Sequence, residues 1–178
     1  MDPPPQGWGL RINGNNLRQG VGHVNVNTVS KMIGYMVTWT TYGSWLQGDH
    51  RGYVKRGKIM SGNERILQSN RKLQRSKTVR LNPSQRAIVR QTILDEAKKT
   101  GQMIEAIAVC EHHVHIVARP CQEPIGQVVS RYRNAAMFAL SGRGQVARIW
   151  TRGFDKRFCF TEDDIGFRIE YVRKHQSY

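Results

Sequence analysis

The chain of 178 residues predicts an α+β fold: strand, helix, strand, strand, helix, strand, helix. The first six elements form a ferredoxin-like βαββαβ antiparallel sheet with two helices on one face, and a C-terminal helix is appended. Three observations carry this. Tyr35, Met36, Val37, Thr38, Trp39, Thr40, Thr41 and Tyr42 are almost all β-branched or aromatic, as in a strand buried on both faces. Only Glu111, His112 and His113 separate the apolar runs 103–110 and 114–118, the spacing of a tight hairpin. Two segments of helical periodicity flank that hairpin.

In chain order, the first strand gives way to Gly43, Gly48, Asp49 and Gly52 around Trp45 and Leu46, a turn-rich passage. The first helix has Asn82 as N-cap, Pro83 in its first position, Ala87, Ile88, Ile93, Leu94 and Ala97 along it, and Gly101 as its stop. Pro120 ends the hairpin. The second helix carries Val128, Val129, Tyr132, Ala136 and Leu140 at helical spacing and closes at Ser141-Gly142. A fourth strand is expected within 148–160, among Ile149, Trp150, Phe154, Phe158 and Phe160, with Gly153-Phe154-Asp155 interrupting it. Thr161-Glu162-Asp163-Asp164 caps the last helix and puts acids where the helix dipole favours them.

This length suits one domain, expected over 32–178. Residues 1–31 are rich in Pro, Gly and Asn, have neither period, and are expected to be a disordered lead; a start placed too far upstream of Met32 is the alternative. The lead has no apolar run of about 7–15 residues, so it does not read as a signal peptide. No stretch approaches the roughly 18 apolar residues of a membrane span. Cys110, Cys121 and Cys159 are odd in number and widely spaced, which reads as reduced thiols in a cytoplasmic protein. The net charge of +15 points to a polyanion as partner, nucleic acid first. Residues 51–90 concentrate it, with twelve Lys or Arg against Glu64 alone.

The sharpest motif is Glu111-His112-His113-Val114-His115-Ile116-Val117. Alternate residues of a strand share a face, so His113 and His115 stand side by side, Cα atoms about 6.5–7 Å apart, and two imidazoles can bind one metal ion. Val114 and Ile116 face the other way, where helices should pack. Taken alone, the pair fits an exposed surface pair equally well. On the last helix Ile165, Ile169 and Val172 make one stripe; Phe167, Tyr171 and His175 make another on nearly the opposite side. Tyr171 and His175 are one turn apart, so the imidazole can reach the same metal as the strand pair. By periodicity alone Tyr171 also fits a packing aromatic.

The combination of His113-Val114-His115 with Glu170-Tyr171-Val172-Arg173-Lys174-His175 further along resembles the single-tyrosine HUH transposases of small insertion sequences, and most the REP-associated tyrosine transposases. Thr40-Thr41-Tyr42-Gly43-Ser44-Trp45-Leu46 with Gly48-Asp49-His50-Arg51-Gly52 is similar to the opening of a bacterial branch of that family. The resemblance spans roughly Met32 to Gln176. It implies cleavage and rejoining of single-stranded, hairpin-forming DNA through a 5′-phosphotyrosine. Tyr171 would be the nucleophile, and His113 and His115 would hold Mg²⁺ or Mn²⁺ against the scissile phosphate. The family's polar ligand one turn after the tyrosine corresponds to His175, with Gln176 beside it. No phosphate-binding G-x-x-x-x-G-K-[ST] loop occurs, as expected of strand transfer that retains bond energy. The family works as a monomer or homodimer. It often carries Asn-Pro after the tyrosine, where this chain has Val172-Arg173.

Phosphate contacts are expected from the basic stretch, Arg51, Lys55 and Arg56 included, and from Arg131 and Arg133. Trp45, Tyr53 and Trp150 are candidates to stack on unpaired bases, or else core residues. Tyr132, a rival nucleophile, sits on the apolar spacing of its helix and has no histidine one turn later, so packing is its expected role. Two other readings compete: a hairpin-DNA binder of the same fold without catalysis, and a nuclease that uses metal-activated water. Three imidazoles would also suit zinc.

Overall fold

In the computed structural model, which describes residues 31–55, 58–142 and 148–175, the first strand organises everything around it. This is β1 (Gly34–Thr40), buried along its whole length as its two-sided apolar character predicts. The lead over 1–30 lies outside the described residues, as do Arg56 and Gln176 and the side chain of Lys55. The chain divides into two compact units: Met32–Trp45 with Leu73–Tyr178 in one, and Leu46–Lys72 in the other.

The larger unit is built on a sheet of order β4-β5-β1-β6, with β4 (Ile104–Val109), β5 (His113–Ala118) and β6 (Asp155–Cys159), every neighbouring pair antiparallel. This is the predicted ferredoxin-like arrangement. The α2 helix (Pro83–Lys99) and the α3 helix (Ile125–Ser141) cover one face, where Tyr35, Val37, Trp39, Ile107, Val114 and Ile116 meet Val89, Ile93, Val128, Tyr132, Ala136 and Leu140. Each such aliphatic side chain, taken out of water, stabilises the fold by about 1.5–3 kcal/mol. The α4 helix (Glu162–Lys174) lies on the opposite face, against Met36, Ala106, Ala108, Val117 and Cys159.

Local chemistry explains the helix starts. Asn82 and Gln85 form a reciprocal capping box with Pro83 at the first position, and Gly101 supplies the positive φ (64°) after the last turn. Thr161 and Asp164 cap α4 in the same way. Arg119 at the end of β5 then clamps Glu162 of α4 (2.8 and 2.9 Å) and Glu105 of β4 (2.6 Å). Gly34 leaves room for the helix, since a Cβ there would stand 2.8 Å from Ile165 Cδ1.

The fourth strand falls within the expected 148–160, at Asp155–Cys159; Trp150 makes an isolated bridge with Thr41, and Gly153 (φ 81°) turns the chain between them. One expectation about the elements needs correction. The basic stretch, read as carrying no element before Asn82, holds β2 (Tyr53–Lys55), β3 (Lys58–Met60) and α1 (Glu64–Lys72) in the smaller unit. Strands of three residues and a helix whose one buried residue is Leu67 are too short to set a period. Tertiary contacts define them: Gly48 (φ 92°) packs so tightly that a Cβ would fall 2.4 Å from Leu67 N.

Candidate active site

The alternation that seals one face of the sheet puts polar groups on the other. On β5, Val114 and Ile116 enter the core beneath α2 and α3, as predicted, while His113 and His115 face the α4 side. Their strand partners on β1 are Thr40 and Thr38. Opposite His115 on β4 is Ala108, whose single methyl leaves space for an imidazole beneath a helix. The turn ahead of His113 is anchored: the His112 carbonyl accepts from Thr41 N (2.9 Å), Thr41 Oγ1 and Ser44 Oγ (both 3.2 Å).

The α4 helix brings its last turn to this pair. One ligand atom from each of His113, His115 and His175 lies within 4.8 Å of the others. Tyr171 joins them, its ring centroid 4.5 Å from that of His175 and 5.5 Å from that of His115. The stripe on nearly the opposite side of the helix from Ile165 is therefore a correction: Tyr171 packs with Ile169 against the same cluster as Ile165 and Val172, and only Phe167 points away, 67% exposed. At about 100° per residue Tyr171 and His175 stand roughly 100° and 60° beyond Val172, the edge of the buried stripe on that side, and the packing of α4 on the sheet turns that side toward His115.

Hydrogen bonds orient two of the rings. His175 Nδ1 lies 2.8 Å from the Tyr171 carbonyl, which can only accept, so Nδ1 carries a proton and Nε2 is the nitrogen left for a ligand. His115 Nδ1 lies 2.7 Å from Thr38 Oγ1, both residues being buried. Burial, reinforced by His113, His175 and His112 nearby, holds the His115 pKa well below its ordinary value of 6.5, so this imidazole is neutral at pH 7. A neutral imidazole can offer the lone pair of its unprotonated nitrogen to a divalent ion. Three nitrogens and no carboxylate form a donor set that suits Mn²⁺ or Zn²⁺ better than the oxygen-seeking Mg²⁺.

The other candidates fall elsewhere. Tyr132 is buried in the sealed face, where burial drives its hydroxyl pKa far up, in keeping with packing. Trp150 is core as well: its ring stands edge-on to Trp39 and its Nε1 donates to the Arg133 carbonyl. Tyr53 is buried within the smaller unit, so neither aromatic offers a face to a base. Trp45 is half-buried. The half-buried Arg133 donates to the carbonyls of Thr151 and Gly153, and Arg131 pairs with Glu123 at 2.8 Å. In the smaller unit Arg51 grips Asp49 through Nε and Nη2, each at 2.8 Å. Burial works to raise the Asp49 carboxyl, but the Arg51 hydrogen bonds and charge prevail and hold it low. Sequence reasoning passed over Thr38. Its signal was legible: Thr38 and Thr40 are polar on one parity of a strand whose other parity is Tyr35, Val37 and Trp39.

No protein-family model and no curated protein match this chain. Solved structures do. A REP-associated tyrosine transposase bound to a REP hairpin is 12% identical, with a TM-score of 0.50, over 87% of this chain and 70% of its own. A putative transposase from Deinococcus radiodurans R1 is 14% identical, with a TM-score of 0.41, over 89% of this chain and 98% of its own. At such identity the first likeness is one of fold, and it agrees with the four-stranded antiparallel sheet and its helices. Among the described residues no helix is long and apolar enough to cross a membrane.

Proposed function

We propose that this chain is a transposase that cleaves and rejoins single-stranded, hairpin-forming DNA, with Tyr171 as nucleophile and His113, His115 and His175 as ligands of a divalent ion, Mn²⁺ or Mg²⁺. The observation that carries this reading is the meeting of one phenol with three imidazoles on the open face of the sheet. The shared fold of a hairpin-bound REP-associated transposase supports the choice of substrate, as does the net charge of +15.

In the reaction Tyr171 Oη bonds to a backbone phosphorus and the bond from that phosphorus to the 3′ oxygen breaks. The phenol proton ends on the departing oxygen, leaving a 5′-phosphotyrosine and a free 3′-OH. One phosphodiester replaces another, so a second 3′-OH can reverse the step and rejoin strands without ATP. The divalent ion, when bound, withdraws charge from the phosphate oxygens as bonding changes. The fold supplies position: the Thr161 cap and the Arg119 clamp fix α4, and α4 carries the phenol to the histidines.

The donor set favours one competing reading, since three imidazoles around an ion can also activate water for hydrolysis. One experiment separates the two. The full chain is incubated with single-stranded hairpin DNA and Mn²⁺ and run on a denaturing gel. A protein–DNA adduct absent from Tyr171→Phe is the expected result. Cleavage without an adduct selects the hydrolase, and hairpin binding without cleavage selects the inactive binder.

A further inference from the structure

We infer that Thr38 is a positioning residue for the three-histidine site: its hydroxyl accepts from His115 Nδ1–H and so holds the imidazole in the tautomer whose Nε2 ligates the ion. The inference rests on the metal reading above and concerns a residue outside the ligand set. Thr38 and His115 are register partners on β1 and β5, both buried, with Oγ1 and Nδ1 2.7 Å apart. That bond is made by either tautomer, but only one suits a ligand. If the hydroxyl donated, the ring proton would sit on Nε2, and the nitrogen left for His113 and His175 would have no lone pair. Accepting from Nδ1–H leaves Nε2 its lone pair and fixes the ring plane, as the outer hydrogen-bond partners of ligating histidines do.

Thr38 has Asp155 as its register partner on β6, whose carboxylate accepts from Arg157 Nε at 2.8 Å, so carboxylate, hydroxyl and imidazole follow one another across the sheet. His175 obtains the same service from the Tyr171 carbonyl at 2.8 Å, so two ligands from different elements have their Nδ1 atoms engaged by neighbours.

The test uses the full chain as wild type, Thr38→Val, which keeps the branched shape without the hydroxyl, and Thr38→Ser, which restores it. In the metal-free protein, long-range proton–nitrogen NMR of the histidine rings should find the His115 proton on Nδ1. Titration with Co²⁺, followed by visible absorption, and with Mn²⁺ should show Thr38→Val binding about 10–100-fold more weakly, with Thr38→Ser close to wild type. A proton on Nε2 in the wild type overturns the inference, and so does Thr38→Val binding Co²⁺ as tightly and with the same spectrum. Should Thr38→Val fail to fold, the wild-type tautomer and the Thr38→Ser affinity decide. Binding lost in His113→Ala but untouched in Thr38→Val sinks this inference alone. A wild type that binds neither ion sinks the metal reading with it.

Discussion

The two faces of the sheet are made from the same strands and serve opposite ends. Beneath α2 and α3, Val37, Val114, Ile116, Val89 and Ile93 are sealed from water, and Tyr132 is held among them. Beneath α4 the same strands offer Thr38, Thr40, His113 and His115, with Ala106 and Ala108 where the other face has bulk. The first face is covered by two helices of 17 residues and the second by one of 13. Half-coverage is what makes a site: His115 is buried and neutral, yet His113, Tyr171 and His175 stay partly open to a ligand. One strand's alternation thus gives one face to apolar packing and the other to the histidine cluster.

The two tyrosines give the sharpest way to break that comparison. Tyr171→Phe should abolish the covalent DNA adduct while leaving the melting temperature nearly unchanged, because ring packing survives. Tyr132→Phe should leave adduct formation intact. Its hydroxyl is buried without a hydrogen-bond partner among the described residues, so its removal should be neutral or stabilising. Loss of adduct in Tyr132→Phe rather than Tyr171→Phe would reverse the roles of the faces.

Neighbours on β5 extend the contrast. Ile116→Ala, in the sealed face, should cost about 2–5 kcal/mol in denaturant unfolding. Mn²⁺ should raise the melting temperature of the wild type, and His115→Ala, one residue before Ile116, should remove that rise.

A smaller effect is expected from pH. The folded-state pKa of His115 lies below the unfolded value of 6.5, so the unfolded chain takes up its proton first. This contribution to stability is complete above that value and is lost as pH falls toward the folded pKa. Melting temperatures of the metal-free protein should drop below pH 6.5, and His115→Leu should flatten that slope. The smallest effect belongs to the cap: Thr161→Ala should cost about 1 kcal/mol and slow adduct formation modestly, since α4 carries the proposed nucleophile. An unchanged adduct rate would show that the Arg119 clamp suffices to hold the helix.

Much of this was legible in order of residues, for reasons specific to each place. The caps at Asn82 and Thr161 and the apolar spacing of Val128, Val129, Tyr132 and Ala136 are local, so they read directly. The His113 and His115 pair follows from the two-residue period of a strand. The short β2, β3 and α1 did not read, because their conformation rests on close contacts such as Gly48 against α1. Phosphate contacts expected of Arg131 and Arg133 could not be weighed against Glu123 and the Thr151 and Gly153 carbonyls, partners that only folding brings near.

Of the +15 charge, the alternation and the caps, the sequence by itself determined a basic α+β domain with two histidines on one strand face and a tyrosine on a late helix. Only the tertiary structure decided that these meet. Periodicity describes an element's own faces but not the angle at which it lies on another. It therefore separated Tyr171 and His175 from the buried stripe of α4, whereas packing on the sheet turns their flank onto His115 and leaves Phe167 outside. The Thr38 bond to His115 has the same origin, since it joins residues 77 apart through strand register.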